Sequence, residues 1–327
     1  MKVAIVGAGA IGTFIGTRLA RSGQQVSALA RGRTGAALAA HGFRLQQDGE
    51  LLSAPVEVAE DAGKLGPQDL VVVAVKGPSL REATAGIGPL LTAETMVLTA
   101  MNGVPWWFFH GVGGAHEGAA VRAVDPDGAI ARAIPARAVI GCVVHATCAV
   151  LEPGLIRHGF GNELIVGEPG GTTSTRVERL AAALTAAGFA VAVSPRIQAD
   201  IWYKLWGNMT MNPMSALTGA TCDRILDDPL LDRFTLAIMA EAAAIGEKIG
   251  CPIRQSGEAR NAVTRKLGAF KTSMLQDVDV GKPLEIDGLL TAVSEIGQRV
   301  GVATPSTDAL LGLTRLFASG RGLYRSS

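Results

Sequence analysis

A doubly wound, mainly parallel α/β domain followed by an all-α domain is the fold class this sequence predicts, on three observations. Short β-branched runs alternate with Ala-rich amphipathic stretches in the first part of the chain, the pattern of parallel βαβ units. A Gly-x-Gly-x-x-Gly run stands between the first strand-like segment and the first amphipathic one. Strand patterns then stop at Ser194-Pro195, and only helical periodicity remains beyond them.

At 327 residues, 48% of them apolar, the chain is about twice the usual domain size and divides into residues 1–195 and 196–327. Lys plus Arg number 30 against 29 Asp plus Glu, so no general attraction to nucleic acid or to an anionic membrane is encoded. Any anion must be held by local groups. No apolar run is long enough to span a bilayer; the mean hydropathy of +0.29 belongs to a buried sheet and packed helices. Cys142, Cys148, Cys222 and Cys251 lie far apart with no Cys-x-x-Cys pair, which reads as reduced thiols packed as small hydrophobes in a cytoplasmic protein. The histidines show no metal-binding spacing, so no metal is expected.

Strands are expected at residues 3–6, 25–29, 70–75, 95–99 and 138–144, with a crossover helix at 11–22 closed by Gly23. Residues 111–128 read as Gly-rich and irregular, and the pieces at 155–158 and 164–166 as extensions of the sheet at its far edge. A helix at 175–187 and a strand at 190–193 close the domain. Helices follow at 198–211, 229–249, 255–267, 286–300 and 306–317, with a frayed tail after Phe317.

Gly7-Ala8-Gly9-Ala10-Ile11-Gly12, with a strand before it and a helix after it, is a Rossmann dinucleotide turn. Gly7 permits the tight bend, Gly9 lets backbone approach a pyrophosphate, and Gly12 lets helix and strand pack closely. NAD binders carry an acid about 20 residues further on for the ribose hydroxyls. This chain has no Asp or Glu before Asp48, and Arg31 directly follows the second strand. A guanidinium there suits the 2′-phosphate of NADP(H). Lys76 and Asn102-Gly103 end the next two strands, at the edge where ligands bind in such sheets.

Lys204, Asn208 and Asn212 recur at four-residue spacing, on one helix face. Trp202, Leu205, Trp206 and Met209 supply apolar flanks. An ammonium and two carboxamides are costly to enclose without partners, and a cleft with a polar ligand answers that cost. The stretch around them, with the glycine turn, Val75-Lys76, Asn102-Gly103, residues 272–277 and Glu285-Ile286-Asp287-Gly288, resembles the ketopantoate reductase family over essentially the full length. The resemblance implies that NADPH reduces ketopantoate to pantoate, on the route to pantothenate. It further implies Lys204 as the catalytic lysine and Glu285 as its acidic partner, with Asn208, Asn212 and Ser273 on the substrate. Asn102 falls where cofactor and substrate meet, and Arg31 and Lys76 at the 2′-phosphate.

The chemistry of the residues agrees. A hydride arriving at a ketone carbon leaves a developing alkoxide that needs electrostatic stabilisation and a proton, and an ammonium supplies both. Met101 stands where family members often carry Gln, and the aromatic run 106–109 follows at once; if that run lines the pocket, another 2-oxo acid is the substrate. A non-catalytic NADP-binding redox sensor is the reading from another class, and it leaves the Lys204 row without a purpose. Apolar helices in the second domain would suit a homodimer.

Overall fold

The structure, a computed structural model, describes residues 1–324. By contact the chain forms two units. The first takes in Met1–Met101, His110–Val112 and Gly128–Ile197; the second takes in Asn102–Phe109, Gly113–Asp127 and Gln198 onward.

The first unit holds, in chain order, β1 (Lys2–Val6), α1 (Ala10–Arg21), β2 (Gln25–Leu29), α2 (Gly32–His41), β3 (Phe43–Gln47), β4 (Glu50–Ala54), β5 (Glu57–Ala59), β6 (Leu70–Val73), α3 (Gly77–Thr84), β7 (Met96–Ala100), α4 (Ala129–Ala133), β8 (Val139–His145), β9 (Cys148–Glu152), β10 (Leu155–His158), β11 (Glu163–Gly167), α5 (Thr175–Ala186) and β12 (Ala190–Val193). The main sheet has the order β12-β11-β8-β7-β6-β1-β2-β5. Its pairs are parallel except β11 with β8. β6, Leu-Val-Val-Val, is buried throughout, as is β7, because a parallel sheet is covered on both faces and so reads as continuous apolar runs. The order reverses at β1, with β2 on one side and β6 on the other.

Residues 155–158 do not extend this sheet. They form β10 of a second sheet, β4-β3-β10-β9, parallel to β3 and antiparallel to β9, and β11 and β12 take the far edge instead. The second sheet covers α1, whose other side faces β1. At Gly16 a Cβ would stand 2.9 Å from the Phe43 ring on β3 and 3.1 Å from Ile5 on β1. The Phe14 ring stacks on His158 of β10 at 4.9 Å. The β3–β4 hairpin turns on Asp48-Gly49, both at positive φ (52° and 82°), as a two-residue hairpin turn requires.

The second unit contains α6 (Ile197–Thr218, its first residue shared with the first unit), α7 (Cys222–Asp227), α8 (Pro229–Lys248), α9 (Gly257–Arg265), α10 (Ser273–Asp279), a π-helical turn over Asp287–Thr291, α11 (Ala292–Val300) and α12 (Pro305–Ser319). Among its described residues beyond Gln198 there is no strand. α6 does not stop before Pro213 as its sequence suggests; residues 209–216 are buried, and that packing outweighs the bond lost at Met209 for want of a proline N–H. Nor does the chain fray after Phe317. Residues 320–324 turn back, Leu323 N–H donating to Ala318 C=O at 2.8 Å; Arg325, Ser326 and Ser327 lie outside the described residues. Residues 113–127 are tied to α11, whose Glu295 carboxylate accepts from the Arg122 and Ala123 N–H groups at 2.9 and 2.7 Å. Among the described residues no helix is long and apolar enough to cross a membrane.

In the first unit, α5 is pinned by a bidentate pair: Arg176 donates from Nε and Nη2 to Glu168 at 2.7 and 2.5 Å. Burial raises the Glu168 pKa, but the Arg176 guanidinium and the Ser174 hydroxyl outweigh it and hold the carboxyl below its ordinary range. Such a carboxylate stabilises the fold above its unfolded-state pKa and ceases to as pH falls through the lowered folded value. Glu168→Gln is expected to cost about 2 kcal/mol at neutral pH, read as a lower Tm, the gap closing below about pH 4. A gap that persists in acid would show that α5 does not depend on this charge.

Candidate active site

The glycine turn opens directly off β1. Gly7 has φ +98°, and a Cβ on it would stand 2.5 Å from Val75 Cγ1 and 2.9 Å from the Ala74 carbonyl, so the turn lies against the chain leaving β6. A Cβ on Gly12 would come within 2.0 Å of the Gly7 carbonyl oxygen; only a glycine lets α1 begin so close to the strand. Gly9 is the opposite case, since a Cβ there would meet nothing within 4 Å. As the N-cap of α1 it makes no side-chain cap bond, and no acid stands in the first turn. Ala8, Ala10 and Ile11 are half-buried around it. Open space over a bare, positively polarised helix N-terminus fits a pyrophosphate, so the residues present fit a dinucleotide.

The two strands that flank β1 end beside this turn. β2 leads through Ala30, whose N–H bonds to Ala59 C=O at 3.0 Å, into Arg31. The Arg31 side chain is 64% exposed and meets Glu82 of α3 at 3.5 Å. An exposed pair at that distance is weak, so the guanidinium can exchange it for a better anion. Lys76, half-buried, is the N-cap of α3 at the end of β6. The acid that an NAD site would place after β2 is absent: Leu29-Ala30-Arg31 stands there.

The remaining residues singled out in the sequence fall in the second unit. On α6, Lys204 and Asn208 are half-buried and Asn212 is 7% exposed, so the row grows more enclosed along the helix. Trp202 and Trp206 do not flank it. They lie about 160–200° around the helix from Lys204, and their indoles donate to the Ala242 and Met239 carbonyls of α8 at 3.1 and 2.8 Å. Ser273 is exposed and begins α10, which Thr272 caps by accepting from Leu275 N–H at 3.2 Å. Glu285 is half-buried, immediately before Ile286 and the π-helical turn.

Asn102 is brought to that turn by its neighbours. Val104 N–H donates to Gly288 C=O at 2.9 Å. Gly103, at φ +82°, comes so near that a Cβ would stand 2.6 Å from the same oxygen. This strap, Asn102–Phe109, then runs to α6, with the Phe108 ring 5.9 Å from that of Trp202. Trp106, Trp107, Phe108 and Phe109 are 0–3% exposed. They are core of this unit and present no surface to a ligand.

Sequence reasoning missed the support of the π-helical turn. Asp287 Oδ1 accepts from the Thr291 hydroxyl at 2.9 Å and the Tyr324 hydroxyl at 2.8 Å, and Arg315 Nη2 donates to Thr291 at 3.0 Å. Leu284 N–H donates to Leu323 C=O at 2.9 Å. A π-turn beside a candidate acid is itself a signal, but a continuous helical period conceals it.

A Rossmann unit of this kind joined to a helical unit carrying such a row is the make-up of a nicotinamide-dinucleotide oxidoreductase. Two family profiles match the chain, "Ketopantoate reductase PanE/ApbA" over residues 3–171 and "Ketopantoate reductase PanE/ApbA C terminal" over 196–318. A Mesorhizobium japonicum protein named 2-dehydropantoate 2-reductase is 46% identical, over 99% of this chain and 100% of its own. A crystal structure from Ralstonia solanacearum, assigned to the ketopantoate reductases, shares 59% identity with a TM-score of 0.96, covering 99% of each chain. D-mandelate dehydrogenase, solved with NADH and anilino(oxo)acetate, has a TM-score of 0.85 over 99% of this chain and 100% of its own, but at 22% identity it bears on the fold alone. The chain belongs to the ketopantoate reductase family, and it is an oxidoreductase.

The two glycines of the turn should fail differently. Gly9→Ala has room for its methyl, so it is expected to keep its Tm while weakening dinucleotide binding at least about tenfold in a fluorescence titration. Gly12→Ala is expected to lose both. Unchanged affinity in Gly9→Ala would place the pyrophosphate elsewhere.

Proposed function

We propose that this chain is an NADPH-dependent reductase of a small branched 2-oxo acid, namely 2-dehydropantoate, reduced to (R)-pantoate on the route to pantothenate. The observation that carries the reading is the α6 row, an ammonium and two carboxamides passing from half-buried to buried while the tryptophans of the same helix are spent on α8. A cation and two carboxamides on one helix face match the carboxylate, keto and hydroxyl oxygens of a hydroxylated 2-oxo acid. The relative at 46% identity bears the name of that reaction.

Residues 1–195 then carry the cofactor and 196–327 the substrate chemistry, Asn102 joining the latter from the strap. A nicotinamide dinucleotide held at the glycine turn would supply the hydride that the 2-oxo carbon takes up. Lys204 stabilises the oxygen as negative charge develops and gives it a proton, so that one hydride and one proton complete the alcohol. Glu285 orients a substrate hydroxyl or the lysine. Asn208, Asn212 and Ser273 hold the substrate's carboxylate and hydroxyl. Gly7 to Gly12 cradle the pyrophosphate, while Arg31 and Lys76 take the 2′-phosphate that distinguishes NADPH from NADH. The enclosure of the Trp106 to Phe109 run favours a branched aliphatic acid over an aryl one. Free cysteines, three of them buried, suit the cytoplasm, and exposed Leu313 and Leu316 on α12 suit a homodimer.

Lys204→Ala is expected to lower kcat by about 10²–10⁴-fold with NADPH affinity intact; near-normal turnover would remove Lys204 from the acid's role. Arg31→Ala should raise KM for NADPH by about 10–100-fold while leaving NADH almost unaffected, and equal effects on the two would refute the phosphate assignment. Initial rates on ketopantoate, 2-oxoisovalerate, phenylpyruvate and benzoylformate identify the substrate, with the highest kcat/KM expected for ketopantoate.

A further inference from the structure

The segment that carries Glu285 is not held by its own helix alone. Residues 282–285 form no regular secondary structure, and Asp287–Thr291 make a π-helical turn, a geometry that leaves backbone groups outside the regular ladder. One of them, the Gly288 carbonyl, is given to Val104 N–H. What holds the segment from the other side is the turn after α12. Leu323 C=O takes the Leu284 N–H at 2.9 Å, one residue before Glu285. The Tyr324 hydroxyl reaches Asp287 Oδ1 at 2.8 Å, two residues after it. Asp287 Oδ1 also receives Thr291, and Thr291 receives Arg315, so a chain of donors converges on one carboxylate oxygen.

We propose that Tyr324 is a positioning residue, its hydroxyl bond to Asp287 setting the placement of Glu285 for the reduction. The proposal rests on Glu285 acting in the reaction, as argued above. Burial raises the Tyr324 pKa and acceptance by Asp287 raises it further, so the hydroxyl stays a neutral donor through neutral pH. Arg315 is held to this corner by the same cluster, its Nε buried and without a partner among the described residues. The bracket is two-sided: Leu284 and Asp287 are both tied, and Glu285 lies between them.

The test is a double-mutant cycle on the full chain, with kcat, KM for ketopantoate, NADPH affinity and Tm measured for each variant. Tyr324→Phe removes only the hydroxyl. It is expected to lower kcat about tenfold or more while NADPH affinity stays within about twofold and the fold remains intact, a split that a merely structural loss would not give. In the Glu285→Gln background the same change should have no further effect, because the residue it positions is already disabled. Asp287→Asn keeps an acceptor oxygen and should retain most of the turnover; Asp287→Ala should fall to the level of Tyr324→Phe. If Tyr324→Phe fails to fold, the Asp287 pair decides the matter by the same measurements. Additive losses in the cycle, or Asp287→Ala with full turnover, would overturn the positioning role while leaving Glu285 in place. A silent Glu285→Gln would instead overturn the catalytic reading, and the proposal with it.

Discussion

The backbone contact between Gly12 and the carbonyl of Gly7 is the constraint on which the first unit is built. A side chain of any size is excluded there, so α1 starts against the end of β1 and its first turn aims bare N–H groups at the space above Gly9. The same closeness continues along the helix at Gly16, between Ile5 and Phe43, and this lets a second sheet lie on the far side of α1. The cofactor turn and the second sheet are therefore two ends of one packing decision. Widening it at either glycine disturbs both.

In the second unit the corresponding decision is made by aromatic side chains. α6 can present a polar row because its tryptophans are fully used against α8, each indole N–H satisfied by a carbonyl. The strap is less economical: the buried Nε1 atoms of Trp106 and Trp107 have no hydrogen-bond partner among the described residues. An orphaned donor costs about 1–3 kcal/mol, yet burying 150–250 Å² of an indole is worth roughly 4–6 kcal/mol. Burial wins, and the strap stays in the core.

Much of this was legible in the sequence, for identifiable reasons. Gly7, Gly9 and Gly12 are readable because each answers a separate steric demand at fixed spacing, and Arg31 because the acid it replaces has a known place. Lys204, Asn208 and Asn212 are readable because a helix face is periodic. The second sheet was harder. Its hairpin is announced by Asp48-Gly49, but Arg44, Gln46 and Gln47 make β3 too polar to resemble the buried runs of the main sheet, and β10 pairs with a strand more than a hundred residues earlier. α7 and α10 are too short to show a period. The bracket around Glu285 joins Asp287 to a tyrosine 37 residues away; contacts of that kind follow from packing and leave no mark on local spacing.

The strap has a consequence for how the chain is made. Phe108 finds its place against Trp202, and roughly 90 residues, most of them from the other unit, are synthesised between them, which at ribosomal speeds takes about 5–20 s. Through that interval a run of two tryptophans and two phenylalanines has emerged without α6 to pack against. A nascent chain in that state is a natural client for a holding chaperone, and a fragment ending before α6 would keep the exposed run permanently. The helical half is thus a folding partner for residues encoded well ahead of it, and neither half is a self-sufficient cassette.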